Sequence, residues 1–276
     1  MSRLITLCKE YVEVRKKELK EEILKFGRTP HLIVIQIDND PASNSYIKGK
    51  KKDCEEVGIL LSHYNFSSED VSEESLCSVI NMFGKNKGIN GIIIQLPIPD
   101  KYNLNKLLEC IPPEKDVDGF RKDSCFKPCT PKGIMDWIDY NNVDLSGKDV
   151  CVIGRSNIVG KPLVNMMIEK GATITCCNSK TKSTEFYTRN ADIVVSAIGV
   201  SKYFDFSDFS DDCELIIDVG INRDEKEKLC GDINVEYFDK YLPYTYVTPV
   251  PGGVGLLTRT SLLENVVEAY KLQNGE

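Results

Sequence analysis

The chain has 276 residues, of which 41% are hydrophobic and 28% charged, with a formal net charge of -7. That length favours two domains over one core, and the acidic balance argues against a nucleic-acid partner, which calls for a basic footprint. No window approaches about 18 apolar residues, so no membrane span is expected.

Residues 2–26 carry helical periodicity, with Ser2 as cap and Leu4, Leu7, Val12, Leu19, Ile23 and Leu24 among the apolar positions. The segment lacks an apolar core of signal-peptide length and holds too many acids for a transit peptide, so a cytoplasmic protein is expected. "HLIVIQI" (31–37) reads as a buried strand. "DNDPASNSY" is a polar turn feeding a helix from about 43 to 57, closed by Gly58. Strand 59–66, a helix over "SEESLCSVINMFGKN", strand 89–99 and a short helix over "LNKLLECI" follow. Strand and helix thus alternate over the first 120 residues, the pattern of a parallel sheet covered on both faces.

The second half repeats the alternation. A helix over "TPKGIMDWIDYNN" is capped by Thr130 with Pro131 at its first position. Then come strand 149–153, helix 160–170, strands 172–178, 191–198 and 214–219, a hairpin over "INRDEKEKLCGDI", strand 245–248 and a last helix over 258–272. The linker between halves is expected at 120–130. The 11 cysteines are scattered without a C-x-x-C pair, so they read as reduced, small hydrophobic residues and no metal site is expected.

Two stretches raise questions of chemistry. Lys48, Lys50, Lys51 and Lys52 crowd one helix beside Glu55 and Glu56, which reads as a solvated face with room for one lysine of consequence. The turn Gly154-Arg155-Ser156-Asn157-Ile158-Val159-Gly160 follows a strand and opens a helix, yet it is not G-x-G-x-x-G. A longer turn can do the same work. Gly154 allows close backbone approach, and at Gly160 the helix amides and dipole can face phosphate oxygens. An acidic residue that would hold a ribose 2′-hydroxyl is expected roughly 20 residues further on. Here the next strand ends in Asn178-Ser179-Lys180 with no carboxylate, and Arg155 projects from the turn. That combination suits a 2′-phosphate, hence NADP. On spacing alone, a plain turn with surface charges remains the alternative.

Together, "SNSYIKGKKKDCEEVGI" (43–59), "GIIIQLPIP" (91–99), "PPEKDVDGF" (112–120), "PCTPKGI" (128–134), "VIGRSNIVGKPL" (152–163), "IDVGIN" (217–222), "GDI" (231–233) and "TPVPGGVG" (248–255) resemble the bifunctional methylenetetrahydrofolate dehydrogenase/cyclohydrolase family. They run in the family's order over nearly the whole chain.

The resemblance implies a two-domain α/β fold: a folate-binding domain over 1–122 plus 258–276, and a Rossmann-like NADP-binding domain over 123–257. The C-terminal helix would return to the first domain. It implies tetrahydrofolate substrates, NADP as cofactor, a homodimer and a place in one-carbon metabolism and purine biosynthesis. Tyr46 and Lys50 match Y-x-x-x-K, and i, i+4 spacing sets them on one helix face. Gln95 matches the glutamine that hydrogen-bonds the lysine, giving Lys50, Tyr46 and Gln95 as catalytic candidates. Asp118 matches the carboxylate for the pterin's amino edge, while Asp116 braces the turn ending at Gly119. Leu96, Pro97, Pro251, Gly252 and Gly253 complete the expected folate contacts, beside Tyr46 and Gln95. Gly154, Arg155, Ser156, Val159, Gly160, Ser179, Ile221 and Gly253 are the expected cofactor contacts.

The chain departs from the family at Asp38, at Asn178, at Leu256-Leu257 in place of Pro-Met, and in the short stretch 121–127. Three rivals stand beside this reading. One is a monofunctional dehydrogenase of the same family, which has no need of Lys50. A shikimate- or amino-acid-type dehydrogenase would lack the combined motifs, and a non-catalytic nucleotide sensor would form no NADPH.

Overall fold

Two short runs of β-branched residues organise the first half of the chain. The computed structural model describes residues 2–275, and the side chains of residues 2–7 and 42 lie outside what it describes. The expected cap at Ser2 and the apolar positions Leu4 and Leu7 therefore fall beyond the described side chains.

The long helix α1 (Ser2–Ile23) leads into β1 (His31–Ile37). Helix α2 (Pro41–Val57) begins where the Asp40 carboxylate accepts the Ser43 amide at 2.6 Å, with Pro41 in the first turn. It ends at Gly58, whose φ of 93° lets its amide reach back to Cys54. After β2 (Leu60–Phe66), Ser72 caps α3 (Glu73–Lys85), whose first turn holds Glu73 and Glu74 at the positive end of the dipole. Then follow β3 (Gly91–Ile94) and α4 (Leu104–Glu109).

The three strands form a parallel sheet in the order β2-β1-β3. Alternation along β1 and β3 feeds two cores. Leu32, Val34 and Ile93 face one side with the C-terminal helix (Val254–Asn274), while Ile33, Ile35, Ile92 and Ile94 face α3 and α4 on the other. Each such side chain, fully buried, contributes about 1.5–3 kcal/mol.

The second half continues with α5 (Cys129–Tyr140), β4 (Asp149–Ile153), α6 (Gly160–Glu169), β5 (Thr173–Cys177), α7 (Thr184–Thr188), β6 (Ile193–Ser196) and β7 (Leu215–Asp218). The hairpin β8 (Asn222–Arg223) and β9 (Leu229–Cys230), α8 (Phe238–Tyr241), β10 (Tyr246–Val247) and α9 (Val254–Asn274) complete it. The sheet is parallel, ordered β10-β7-β6-β4-β5. The chain moves outward from β4 to β5 and then returns to the other side of β4 at β6, the strand-order reversal beyond which ligands sit in open α/β sheets.

The chain divides into two units, Val14–Cys129 with Arg259–Glu276, and Met1–Glu13 with Thr130–Thr258. The division differs from the expected 1–122 plus 258–276 and 123–257 at the start of α1 and at residues 123–129, which group with the first unit. Cys8, Tyr11 and Val12 lie in the core of the second unit, and Tyr11 meets Tyr140 edge-on at 5.2 Å. Most of the C-terminal helix belongs with the first unit, where Leu262, Leu263, Val266 and Val267 enter its core.

Several boundaries also depart from expectation. Strand β3 is four residues long where 89–99 was expected, because Pro97 and Pro99 have no amide to continue the ladder. Cys129 opens α5, so Thr130 lies inside the helix, where its hydroxyl accepts from Thr258 Oγ1 at 3.1 Å. Helix α9 starts at Val254, four residues before the expected 258, directly after the glycines of its preceding turn. Leu24 lies past the end of α1 and is exposed.

Candidate functional site

In the first unit the lysine cluster resolves by helical geometry. Lys48, Lys51 and Lys52 on α2 are exposed, whereas Lys50 is 8% exposed. Its Nζ donates to Gln95 Oε1 at 3.1 Å. Gln95 sits one residue beyond β3, held there by its own amide, which donates to the Ile35 carbonyl at 2.8 Å. Its Nε2 donates to the Leu96 carbonyl at 2.9 Å. An amide has one accepting oxygen and one donating nitrogen, so that second bond turns the oxygen toward the lysine. Ser43 Oγ also donates to the Leu96 carbonyl, at 3.2 Å, and the Leu96–Pro97 peptide is cis. Tyr46, one turn before Lys50, is half-buried; burial pushes its phenol up, opposed by the charge of Arg259.

Asp118 is 8% exposed. Burial pushes its carboxyl up, countered by the charge of Lys50 and a hydrogen bond with the Cys129 thiol. Asp116 has a different task. Its Oδ2 accepts the Arg121 amide at 2.8 Å, and its backbone oxygen accepts the Gly119 amide at 3.0 Å and Ser124 Oγ at 3.1 Å. Gly119 adopts φ +71°, and a Cβ there would lie 2.6 Å from the Lys127 carbonyl carbon, so the turn admits only glycine. Asp116 ties that turn together, and its backbone presents the neighbouring Asp118.

Sequence reasoning missed an ionic network on the same helix. Buried Asp53 lies 2.6 Å from Lys16 Nζ and 2.7 Å from Arg259 Nε, the latter an ion pair by distance without hydrogen-bond alignment. The Arg259 guanidinium covers Gly49, where any Cβ would overlap it. A glycine in the middle of α2 was the one legible signal. The partners lie far apart in sequence. This half of the molecule therefore offers a buried amine fixed by an amide, a half-buried phenol, and a buried carboxylate within electrostatic reach of the amine. Such a set can move protons and accept paired N–H donors.

In the second unit the glycine turn folds back on itself. Gly154 has φ +116°, donates its amide to the Cys177 carbonyl at 2.9 Å, and leaves no room for a Cβ beside the Ala197 carbonyl. A Cβ on Gly160 would in turn overlap the Gly154 carbonyl. Val159 has no capping side chain, and Ser156 takes that role. Its Oγ accepts the Val159 amide at 3.1 Å and the Gly160 amide at 3.4 Å, and its carbonyl accepts the Lys161 amide at 3.1 Å. The first amides of α6 are thus satisfied inside the loop, leaving the helix dipole and Arg155 to meet an anion.

Arg155 is exposed and forms no ion pair among the described residues; its charge reaches Cys176 on the adjacent strand. Ser179 is exposed in the turn after β5, where Asn178 Oδ1 accepts the Lys180 amide at 3.0 Å. Gly252 has φ +109°, a Cβ on Gly253 would stand 2.5 Å from the Pro249 carbonyl, and the Val250–Pro251 peptide is cis. Leu257 is fully buried in the core and Leu256 packs against it, which gives the two departures from Pro-Met a structural place. Ile221 is 45% exposed beyond the end of β7. Also unread in the sequence were Asp218 and Asp232, two buried carboxylates at the base of these loops.

A catalytic-domain model of the tetrahydrofolate dehydrogenase/cyclohydrolase family matches residues 7–118, and that family's NAD(P)-binding-domain model matches residues 128–274. The chain is 44% identical to the bifunctional protein FolD of Bacillus anthracis, over 98% of each chain. It is 38% identical to the bifunctional methylenetetrahydrofolate dehydrogenase/cyclohydrolase of Campylobacter jejuni, with a TM-score of 0.89 over 96% of this chain and 97% of that one. The dehydrogenase-cyclohydrolase of Trypanosoma brucei, solved with NADP and an inhibitor, is 28% identical with a TM-score of 0.86 over 97% of each.

Proposed function

We propose a two-step reaction for this chain, which belongs to the tetrahydrofolate dehydrogenase/cyclohydrolase family: oxidation of 5,10-methylenetetrahydrofolate with NADP, then hydrolysis of the methenyl product to 10-formyltetrahydrofolate. The observation that carries it is buried Lys50 bonded to Gln95 at 3.1 Å, since the second step needs a positioned proton carrier and the first does not.

The second unit fits a phosphorylated dinucleotide. Gly154 and Gly160 let the turn fold back against neighbouring backbone, Arg155 forms no ion pair among the described residues, and residues 178–182 hold no carboxylate. NADP supplies a hydride acceptor when bound. Arg155 and Ser179 would hold its 2′-phosphate, Ser156, Val159 and Gly160 would shape the diphosphate turn, and Ile221 and Gly253 would border the nicotinamide. Hydride departure from the methylene carbon transfers no proton to the protein, so that step depends on alignment. For it, Asp118 accepts the pterin's N–H edge, Tyr46 packs on the substrate, and Leu96, Pro97, Pro251 and Gly252 bound it.

Hydrolysis asks more of the side chains. Water attacks the methenyl carbon and loses both its protons as the formyl carbonyl forms, one going to the departing ring nitrogen and the other to solvent. Lys50 is the group for that transfer, with Gln95 orienting its amine. The same reading includes a homodimer working in the cytoplasm and supplying purine biosynthesis, on the resemblance alone. Following NADPH and methenyl-folate absorbance in one reaction tests both steps. NADPH should appear with methenyl-folate rising only transiently; no NADPH would remove the dehydrogenase, and stable methenyl-folate would remove the hydrolase.

A further inference from the structure

We propose that Asp232 is a positioning residue for the dinucleotide, its carboxylate holding the loops after β6 and β7 in the form that receives the nicotinamide half. The inference rests on the NADP reading above.

Asp232 follows β9 in the short motif Gly231-Asp232-Ile233, and its side chain is 0% exposed. The carboxylate accepts four donors. Oδ2 takes Ser196 Oγ at 2.9 Å and the Ile198 amide at 2.9 Å; Oδ1 takes the Val200 amide at 2.9 Å and Asn222 Nδ2 at 3.0 Å. Ser196 ends β6, Ile198 and Val200 lie in the loop after it, and Asn222 opens β8 beyond β7. One side chain therefore joins the start of the loop after β6 to the start of the hairpin after β7.

Asp218 completes the lock from the other side. Its Oδ1 accepts the Gly220 amide at 3.0 Å and the Asp232 amide at 2.9 Å, and its Oδ2 accepts the Ile233 amide at 3.0 Å. Gly220 and Gly231 are glycines for a local reason: a Cβ on either would overlap the opposite carboxylate. Burying two carboxylates is unfavourable unless their acceptors are filled, and here they are filled by five backbone amides together with the Ser196 hydroxyl and the Asn222 side chain. A fold that needed only a packed hairpin would be served by apolar residues. What the carboxylates add is a fixed backbone path.

That path lies where a dinucleotide must pass. The strand order reverses at β4, so the two halves of a ligand spread over opposite sides of it beyond the strand ends. Arg155 and the turn at Ser179 occupy the β5 side, which assigns it the phosphorylated adenosine. The nicotinamide half then falls over β6 and β7, whose following loops are those gathered by Asp232. Ile221 stands between Gly220, tied to Asp218, and Asn222, tied to Asp232. Its exposed side chain is thereby presented by two anchored neighbours.

The test compares two probes by calorimetry on the full chain: NADP, and 2′,5′-ADP, which carries only the adenosine half. Asp232→Asn keeps the shape but sets an amide nitrogen against two donors, freeing one loop. NADP affinity should fall about tenfold or more while that for 2′,5′-ADP stays within twofold. Equal loss of both probes would make Asp232 a general structural residue, and unchanged NADP affinity would remove its role altogether. Should D232N not fold, Ser196→Ala decides, since it deletes one donor and keeps the carboxylate. About a threefold loss for NADP alone supports the inference, and no loss overturns it. Because the readout is binding, a parent chain that binds NADP but forms no NADPH would end the proposed reaction and leave this test standing.

Discussion

Replacing Lys50 with methionine separates the two proposed steps. Methionine keeps much of the lysine stem and suits a position that is 8% exposed, while the 3.1 Å bond to Gln95 is lost. Gln95 Oε1 is left without its partner, at a cost of about 1 kcal/mol for a half-buried acceptor, and removal of a buried charge offsets part of that. Asp118 loses the charge that counters its burial, so its carboxyl should rise further. The net effect on folding should be small, within about 1 kcal/mol. Catalysis should divide sharply. A positioned acid-base group contributes about 100- to 10,000-fold to a step that moves protons, or about 3–5 kcal/mol. Hydride transfer needs no such group. The variant should form NADPH while methenyl-folate accumulates, with both absorbances followed in one cuvette. Hydrolysis of added methenyl-folate at the parent rate would refute the reasoning, because a buried amine bonded to an oriented amide would then have no part in the chemistry.

Arg155→Ala should weaken NADP by about tenfold to a hundredfold, the worth of a charge-assisted contact at roughly 1.5–3 kcal/mol, and leave NAD and thermal stability nearly unchanged; equal loss of both cofactors would count against the assignment. Asp118→Asn turns a donor toward the pterin's N–H edge at a cost of about 1–3 kcal/mol, so titrations should show weaker folate binding and unchanged NADP binding. Unaltered folate affinity would leave Asp118 as a turn residue. Burial pushes the Asp218 carboxyl from 3.8 up to about 6. The folded chain then binds that proton more tightly than the unfolded one, so this group's contribution to stability is present below about 4 and is lost as pH rises to about 6. The loss is at most about 3 kcal/mol. Melting curves of Asp218→Asn and parent should converge or cross over that interval; a parent-minus-variant difference independent of pH would refute it.

How much of this was legible in the sequence follows from range. Strands such as 31–37 and 149–153 announce themselves through contiguous β-branched residues, and Asp40, Ser72 and Gly58 mark helix ends within three or four residues of the bonds they make. Tyr46 and Lys50 share a face by simple periodicity. The true end of β3 was hidden because apolar residues continue through Leu96 and Ile98, and prolines had to outweigh them. The start of α9 was hidden by glycines that serve the preceding turn. Nothing local connects Lys16 to Asp53 or Ser196 to Asp232; those pairs exist only once helices and strands have been stacked. Likewise the packing of Cys8, Tyr11 and Val12 with α5 could not be read from a helix whose periodicity runs unbroken to residue 23.

The back-folded glycine turn also bears on how a ligand arrives and leaves. With the first amides of α6 already bonded to Ser156, and Gly154 and Gly160 seated against neighbouring backbone, the loop has few conformations left to lose. On the proposed assignment, a dinucleotide entering it would meet a shape made in advance, and little chain entropy would be lost on binding. The same economy governs exit. On the same assignment, the spent cofactor would depart without the loop unwinding and winding again, which would leave the turn already shaped for the next one.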